Sequence, residues 1–260
     1  MIFETHAHYD DKAFDEDREK LIGQLQPAGI GCVVNIGASL HSCQKTVELM
    51  EKYDFIYGAI GVHPSDTAEL NEENFAWLAE QCRHKKCVAV GEIGLDYYWD
   101  EPEREIQKEW FRRQLRLAKE LGLPVVIHSR DAVQDTIEIM KEEHAEEIGG
   151  VIHCFAYTKE TAQIFLQMGF CIGVGGVVTF KNGKKLKETV EEIPLERIVL
   201  ETDCPYLSPE PNRGKRNSSL NLPFVVEQIA VIKGVSPEEV ERVTYENALK
   251  LYPKITRQER

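Results

Sequence analysis

Short apolar runs recur along the chain, and each is about as long as one buried strand. Between them, apolar residues recur every three or four positions, which is the spacing of an amphipathic helix. This alternation predicts parallel strands joined by helical crossovers. The eight predicted strands are Ile2–His6, Cys32–Gly37, Phe55–Val62, Val88–Leu95, Pro124–His128, Val151–His153, Phe170–Val174 and Ile198–Thr202.

The helical pattern is clearest over Glu103–Leu121, where Gly122 and Pro124 then stop the helix. The final helix also has a clear start, because Ser236 is a good cap and Pro237 suits the first helical position. The other predicted helices are Ser39–Lys52, Glu72–His84, Ala132–Glu147, Lys159–Met168, Lys184–Glu191, Leu222–Lys233 and Pro237–Leu251 itself.

Eight strand–helix repeats favour a closed barrel over an open sheet. The length of 260 residues is typical of one eight-stranded α/β barrel. No Gly-x-Gly-x-x-Gly or P-loop sequence supports a nucleotide-binding open sheet. We therefore predict an α/β fold with one (β/α)8 TIM-barrel domain over residues 1–252, an extra C-terminal helix, and a polar tail over residues 253–260.

Composition indicates where this barrel is located and what it can bind. No apolar run approaches the roughly 18 residues of a membrane span. The seven cysteines are scattered and no export signal precedes the first strand, so we expect reduced thiols, a cytoplasmic location and no membrane contact. The net charge of -13 argues against general affinity for nucleic acid, but not against a local site where metal ions supply positive charge. Nothing in the sequence indicates a stable protein partner.

Histidines and carboxylates stand at the ends of five predicted strands. In a barrel, the carboxyl ends of the strands carry the active site. Any one of these side chains alone would have an ordinary interpretation, such as a turn cap or a core histidine. Their recurrence at the same end of five strands instead predicts a metal site. The expected ligands are His6, His8, Glu92, His128, His153 and Asp203.

This ligand set is larger than one tetrahedral ion needs. It suits two divalent ions about 3.5–4 Å apart that share a carboxylate and a water. Glu92 lies between the other ligand strands and is the expected bridge, while Asp203 is placed to take a proton from the attacking water, so both are predicted to be catalytic. Nitrogen and oxygen ligands without thiolate suit Zn, Mn, Ni or Mg. The remaining ligands divide between the ions, His6 and His8 with Asp203 on one, and His128 and His153 on the other.

Six short motifs occur in order between about residue 2 and residue 252. They are His6-Ala7-His8, Gly61-Val62-His63-Pro64, Gly91-Glu92-Ile93-Gly94-Leu95-Asp96, His128-Ser129-Arg130-Asp131-Ala132, His153-Cys154-Phe155 and Glu201-Thr202-Asp203-Cys204-Pro205. Together they resemble the TatD family of metal-dependent deoxyribonucleases, which belongs to the amidohydrolase-like barrels. Arg213-Gly214-Lys215-Arg216-Asn217 resembles that family's loop after strand eight.

The resemblance implies a two-metal phosphodiesterase that acts on DNA, usually as a 3′-to-5′ exonuclease, on single strands or at ends. It implies Mg or Mn as the working ions. Some members of the family are credited with other hydrolyses, including removal of misacylated amino acids from tRNA. Two departures stand out: Glu4 replaces the family's usual Asp, and Asn217-Ser218-Ser219 replaces its usual Asn-Glu-Pro.

Two carboxylates are expected to support the ligands from behind. Glu4 shares a face of the first strand with His6, one step deeper in the barrel. A histidine ligand normally donates its second ring nitrogen to such an acceptor. We expect Glu4 to accept that hydrogen bond, and Glu201 to lie in a similar supporting position.

Several further side chains are candidates for substrate contact. His63 could touch a phosphate or a third ion, or simply precede the turn at Pro64. Arg130 could hold a phosphate, or pair with Asp131 or Glu201. The loop after strand eight lies where barrels often bind phosphate, although a solvated loop is the alternative; its basic residues are Arg213, Lys215 and Arg216. Rings just beyond the ligands could stack bases or pack in the core: Tyr97, Tyr98, Trp99, Phe155 and Tyr157.

The first hypothesis is therefore a two-metal nuclease. A small-molecule amidohydrolase acting on an ester, lactone or amide at the same ions is the alternative, and the acidic composition favours it. A modified Lys bridges the metals in many such relatives, whereas Glu92 occupies that place here. A non-catalytic binding protein would not need the full ligand set.

Overall fold

The computed structural model describes residues 1–255. Eight strands form one parallel sheet in sequence order. Hydrogen bonds from the Asp203 N–H to the His6 carbonyl and from the His8 N–H to the Cys204 carbonyl, both 2.9 Å, join the segment after the last strand to the end of the first strand. The predicted (β/α)8 barrel is confirmed. Its strands are β1 Ile2–Ala7, β2 Ile30–Ile36, β3 Ile56–Ile60, β4 Cys87–Asp96, β5 Val125–Arg130, β6 Gly150–Ile152, β7 Cys171–Val174 and β8 Ile198–Leu200.

A helix follows each strand, and one more ends the described chain. The sequence pattern did not predict α1, a short helix that buries only Leu21, Ile22 and Leu25. The Gly122 stop and the Ser236 cap are both present: Gly122 has a φ of 63°, and the Ser236 side chain accepts the Glu239 N–H. The helices are α1 Arg18–Leu25, α2 Leu40–Lys52, α3 Glu72–Gln81, α4 Arg104–Leu121, α5 Val133–Glu142, α6 Lys159–Gln167, α7 Lys184–Glu192, α8 Leu222–Lys233 and α9 Pro237–Leu251.

The extra helix α9 closes the amino-terminal end of the barrel. The Asn247 amide donates to the carbonyl of Ile198, the first residue of β8. Past α9, Lys254 donates to the carbonyl of Cys87, the first residue of β4, and Ile255 is buried. The packed chain therefore extends past the predicted boundary at residue 252, and residues 256–260 of the predicted tail lie outside the described residues.

The interior at this end is apolar. Phe3 is buried and packs against two rings of the C-terminal segment, Tyr245 at 5.5 Å and Tyr252 at 6.2 Å between ring centroids. We call Phe3, Tyr245, Tyr252 and Ile255 the bottom cluster. Because it seals one end of the barrel, the opposite, carboxyl-terminal end is where polar side chains can converge. No helix of the described residues is long and apolar enough to cross a membrane.

Candidate metal centre

The six predicted ligands meet at the carboxyl-terminal end of the barrel, and Glu92 lies among them. Its Oε2 is 3.4 Å from His6 Nε2. Its Oε1 is 2.9 Å from both His128 Nδ1 and His153 Nε2. One carboxylate oxygen thus faces a ligand of β1 and the other faces the histidines at the ends of β5 and β6, so Glu92 stands between two groups of candidate ligands.

The local backbone of β4 aims Glu92 into the barrel. Val90 pairs with Val125 and Ile93 pairs with Ile127, so β4 has one extra residue between these pairs. Such a bulge redirects side chains and is frequent next to active sites. The flanking glycines are required by space: a Cβ on Gly91 would lie 2.6 Å from the Val126 Cβ, and one on Gly94 would lie 1.9 Å from the His128 carbonyl oxygen.

Asp203 is a second carboxylate close to His6 and His8. Its Oδ1 is 3.3 Å from His8 Nε2 and 3.6 Å from His6 Nε2. Its backbone has a φ of 56°, a left-handed conformation that aspartate tolerates better than most residues. Burial alone would raise the pKa of Asp203, but the neighbouring histidines outweigh it and lower the pKa. Asp203 is therefore ionised at neutral pH.

Outer hydrogen bonds fix which nitrogen of two histidines faces the centre. His8 Nδ1 is 3.0 Å from the Ile36 carbonyl, so Nδ1 carries the proton and Nε2 presents a lone pair. His128 Nε2 is 3.0 Å from Asp96 Oδ2, so Nε2 carries the proton and Nδ1 presents the lone pair. Both lone pairs point toward the carboxylates of the centre.

These atoms fit a divalent ion. His6 Nε2 lies 3.1 Å from His8 Nε2, and His128 Nδ1 lies 3.3 Å from His153 Nε2. Converging lone pairs and carboxylates need positive charge between them. Burial alone would lower the pKa of His8, but Asp203 and Glu92 raise it to about 10, so these carboxylates stabilise positive charge at His8 Nε2, and a metal ion bound there would displace a proton. Imidazole and carboxylate donors are the set that divalent ions such as Zn, Mn or Ni take.

The hydrogen bond predicted between Glu4 and the His6 ring is wrong. Its carboxylate accepts the backbone N–H groups of His6 at 3.1 Å and Thr202 at 2.9 Å, and the hydroxyls of Thr202 and Ser219. It does not accept a hydrogen bond from the His6 ring, whose Nδ1 has no partner among the described residues. Burial raises the pKa of Glu4 to about 7. Glu4 therefore ties β1 to the segment after β8 and holds the backbone of a ligand.

Glu201 is the carboxylate that lies near the ligand rings. One donor atom from each of His6, His153 and Glu201 lies within 4.8 Å of the others. The rings of His6 and His153 stack with centroids 3.9 Å apart. Their Nδ1 atoms and Glu201 Oε2 are buried and have no partner within the described residues. Glu201 Oε1 accepts the Cys154 N–H at 2.5 Å. Glu201 thus lies beside the ligand rings as expected, although within residues 1–255 no hydrogen bond joins its carboxylate to either ring.

His63 faces the centre as a hydrogen-bond donor. Its Nδ1 accepts the Ser65 N–H at 3.1 Å, and its Nε2 is 3.8 Å from Glu92 Oε1. Burial and the nearby His128 lower the pKa of His63 to about 3, so the ring is neutral and the proton is on Nε2. That geometry suits contact with a phosphate oxygen better than ligation of a third ion.

Asp96 lies in one of the six motifs and beside the ligands, a position that was not predicted for it from the sequence. Its Oδ2 holds the His128 ring, and its Oδ1 accepts the N–H groups of Tyr98 and Trp99, both at 3.0 Å. Alternation along β4 places Asp96 on the same face as Glu92 in a regular strand. The four-residue spacing between Glu92 and Asp96 could therefore have predicted that Asp96 lies beside the ligands.

The remaining candidates fall into two groups. Arg130 is exposed and stacks on Tyr98 at 3.8 Å; within residues 1–255 its guanidinium has neither of the ion pairs considered for it, with Asp131 or Glu201. Among the rings considered for stacking, Tyr98 and Trp99 are 55% and 64% exposed, whereas Phe155 is buried. Tyr97 and Tyr157 are half-buried and bond to Asp135 and Ser129, respectively.

The basic loop after β8 is only partly available to a ligand. Arg216 makes two hydrogen bonds to Asp17, at 2.6 and 2.7 Å, and one to the Ala13 carbonyl. It therefore fastens the loop to the segment before α1 and is not free to hold a phosphate as expected. Arg213 stacks on Phe180 at 4.2 Å, and Lys215 is exposed beside Asn212, so these two keep accessible charge.

Comparison with known proteins identifies the family of this chain. The family model described as "TatD related DNase" matches residues 3–253. The chain is 47% identical over 252 residues to an uncharacterized metal-dependent hydrolase, YabD, of Bacillus subtilis (strain 168), covering 97% of this chain and 99% of that one. It is 33% identical to the 3′-5′ ssDNA/RNA exonuclease TatD of Rahnella sp. (strain Y9602), covering 96% and 98%.

Solved structures agree as well. The crystal structure of YJJV, a TatD homologue from Escherichia coli K12, superposes with a TM-score of 0.90 at 29% identity and covers 97% of this chain and 98% of that one. A hydrolase of the TatD family from Entamoeba histolytica gives a TM-score of 0.88 at 26% identity, covering 98% of each chain. With a barrel of this form and candidate ligands at its carboxyl-terminal end, the chain belongs to the TatD family of metal-dependent hydrolases.

Proposed function

We propose that this hydrolase cleaves phosphodiester bonds of single-stranded DNA from the 3′ end, using two divalent ions. The observation that carries the proposal is Glu92, whose two oxygens face ligands from opposite sides of the barrel. His6, His8 and Asp203 would hold one ion with Glu92, and His128 and His153 would hold the other. A Rahnella relative is named a 3′-5′ ssDNA/RNA exonuclease, which supports this substrate class.

When bound, the two ions supply charge that stabilises the reacting phosphate and increase the acidity of the attacking water. Mg or Mn are the working ions we propose, with Zn or Ni as alternatives that the same donors accept. The protein residues then have distinct tasks. Asp203, ionised at neutral pH, accepts the proton of the attacking water.

The substrate is held by donors around the centre. His63 presents its Nε2–H toward Glu92 and would donate to a phosphate oxygen. Arg130, whose guanidinium has no carboxylate partner in the described chain, would pair with a phosphate at the rim. Arg213 and Lys215 would add charge farther out. Solvent supplies the proton to the leaving oxygen.

The test is a cleavage assay on matched strands. A 5′-labelled single strand with Mg or Mn should shorten stepwise from its 3′ end, whereas a closed circle of the same sequence should stay intact. RNA of the same sequence, and an aminoacylated tRNA, define how far the activity extends. Cleavage of the circle would show an endonuclease and overturn the exonuclease proposal.

The net charge of -13 is the observation that favours a small-molecule ester, lactone or amide as substrate. Hydrolysis of such compounds with no release of nucleotides under any divalent ion would decide for that alternative. We place the activity in the cytoplasm, because all seven cysteines are free thiols and six of them are buried. We propose no stable protein partner.

A further inference from the structure

Two aromatic side chains stand in solvent beside the candidate metal centre. Tyr98 is 55% exposed and Trp99 is 64% exposed, which makes Trp99 the most exposed aromatic residue of the described chain. Both follow directly after β4, the strand that carries Glu92. Large exposed rings next to a reaction site indicate a surface that binds a ligand.

Asp96 holds this aromatic turn at a fixed position relative to the centre. One of its oxygens accepts the N–H groups of Tyr98 and Trp99, and the other holds the His128 ring. The Tyr97 N–H also donates to the Arg130 carbonyl at 2.9 Å. A single carboxylate therefore connects a candidate ligand to the rings.

The two rings differ in what they can offer. Tyr98 has Arg130 over its face at 3.8 Å and the Trp99 ring perpendicular to it, at 5.2 Å and 86°. Tyr98 is thus braced from two sides. Trp99 has no other ring contact among residues 1–255, so its indole face is open to a ligand.

We propose that Trp99 stacks on a nucleobase of a single-stranded substrate, that Tyr98 braces it, and that Arg130 contacts a neighbouring phosphate. This rests on the proposed function and deepens it. An open ring face beside a guanidinium that has no carboxylate partner within residues 1–255 matches the alternating base and phosphate of a nucleic acid chain. Only an unstacked base offers its face, so the site selects single strands or frayed ends over intact duplex.

Kinetics with matched substrates test the stacking. Two single strands of one sequence are compared, one complete and one in which the three 3′-terminal nucleotides lack bases. The wild-type KM should be about tenfold lower for the complete strand, since one stacked base contributes roughly this much or more. Trp99→Ala should raise KM for the complete strand about tenfold and remove the difference between the strands, with the effect on KM and not on kcat.

Variants separate stacking from general damage. Trp99→Phe should restore part of the affinity, because a smaller ring still stacks. Trp77→Ala is the matched control: Trp77 is 37% exposed on α3, away from the centre, and its loss should change neither strand's KM. If Trp99→Ala binds the complete strand as tightly as wild type, the stacking proposal is overturned.

Fluorescence gives a second measurement that needs no turnover. With EDTA present, the complete strand should quench tryptophan emission of wild type and of Trp77→Phe, but not of Trp99→Phe, because Trp110 is buried. The strand lacking terminal bases should quench less. Equal quenching in Trp99→Phe and wild type would contradict the proposal.

The outcomes keep this inference apart from the proposed function. If wild type cleaves neither strand, the proposed function fails, and the quenching experiment still decides the stacking. If both strands are cleaved with equal KM and Trp99→Ala instead changes the oligomeric state in size-exclusion chromatography, the exposed rings form a protein interface and the stacking proposal fails while the function stands.

Discussion

The same strands carry apolar side chains at one end of the barrel and polar side chains at the other. At the bottom, Phe3 of β1 packs against Tyr245 and Tyr252. Three residues farther along β1, His6 enters a centre crowded with nitrogen and oxygen atoms. All of the buried side-chain atoms without a partner in residues 1–255 belong to this end or its edge: His6, His153, Glu201 and Ser65, which follows His63.

This difference separates stability from function. Buried polar groups are normally paired, and leaving one unpaired costs free energy of folding. The bottom cluster consists of closely packed, largely apolar side chains. At the carboxyl-terminal end, by contrast, buried polar atoms lack a partner among the described residues, and a ligand is expected there. We therefore expect substitutions at the top to change metal content and activity, and substitutions at the bottom to change stability.

The largest expected effect is that of Glu92→Gln. An amide cannot bridge two ions as a carboxylate does, so the variant should lose one ion and nearly all activity, beyond the about 10²–10⁴-fold loss of a general base alone. Metal content per chain and cleavage rate measure this together. Glu227→Gln, on the exposed face of α8, is the control. Two retained ions with full activity would show that Glu92 is not the bridge.

Asp203→Asn should separate chemistry from metal binding. The amide keeps an oxygen toward the centre but cannot accept the proton of the attacking water. We expect kcat to fall about 10²–10⁴-fold while metal content stays near that of wild type. Single-turnover kinetics with metal analysis check this. A variant that loses metal in proportion to activity would make Asp203 a ligand without a role in proton transfer.

At the other end of the barrel, Phe3→Ala should act only on stability. Removing a buried phenyl ring from the bottom cluster leaves a cavity, which typically costs about 3–5 kcal/mol of unfolding free energy. Phe3→Leu, which fills more of that space, should cost less. Chemical denaturation of both variants gives the magnitude. A change in metal content of folded Phe3→Ala would contradict the separation of the two ends.

Asp96→Asn should weaken the centre through the tautomer of His128. An amide nitrogen opposite Nε2 favours a proton on Nδ1, which then has no lone pair for an ion. Removal of such an outer hydrogen bond costs about 10–100-fold in metal affinity. A metal titration measures the shift, and an unchanged affinity would remove Asp96 from the centre. Asp135→Asn is the matched control, because Asp135 bonds Tyr97 and Lys108.

The smallest effects are expected in the loop after β8. Arg213→Ala with Lys215→Ala should raise KM for a single strand several-fold and reduce the salt dependence of binding by about 0.7 for each phosphate that the loop no longer binds. Arg216→Ala should instead lower stability only slightly, since its pair with Asp17 is exposed to solvent. KM across a salt series and thermal unfolding distinguish them. Equal salt slopes in wild type and the double variant would exclude the loop from binding.

Strand positions and the convergence of six side chains could be predicted from the sequence, because barrel strands are apolar runs that end at one face. The helix α1 was not predicted, since few apolar residues mark it. The contacts of Glu4 and Glu201 were not predictable either. Strand alternation gives the face of a side chain, but not whether its carboxylate reaches a ring or a backbone N–H.

The same limit applies to Asp96 and His63. The role of Asp96 depends on which nitrogen of the His128 ring carries a proton, and the role of His63 depends on the same choice in its own ring. Both choices follow from hydrogen bonds, at 3.0 and 3.1 Å, that only the three-dimensional structure defines. Arg216 lies in the basic loop that the sequence indicated as a phosphate site. It instead pairs with Asp17, which is distant in sequence, and this contact could not be predicted.

The most direct test of the account is anomalous scattering from crystals grown with Mn²⁺. We expect two manganese peaks about 3.5–4 Å apart at the carboxyl-terminal end of the barrel. Glu92 should contribute one oxygen to each ion, with His6, His8 and Asp203 on one and His128 and His153 on the other. A single peak, or two peaks that Glu92 does not connect, would contradict the two-metal centre.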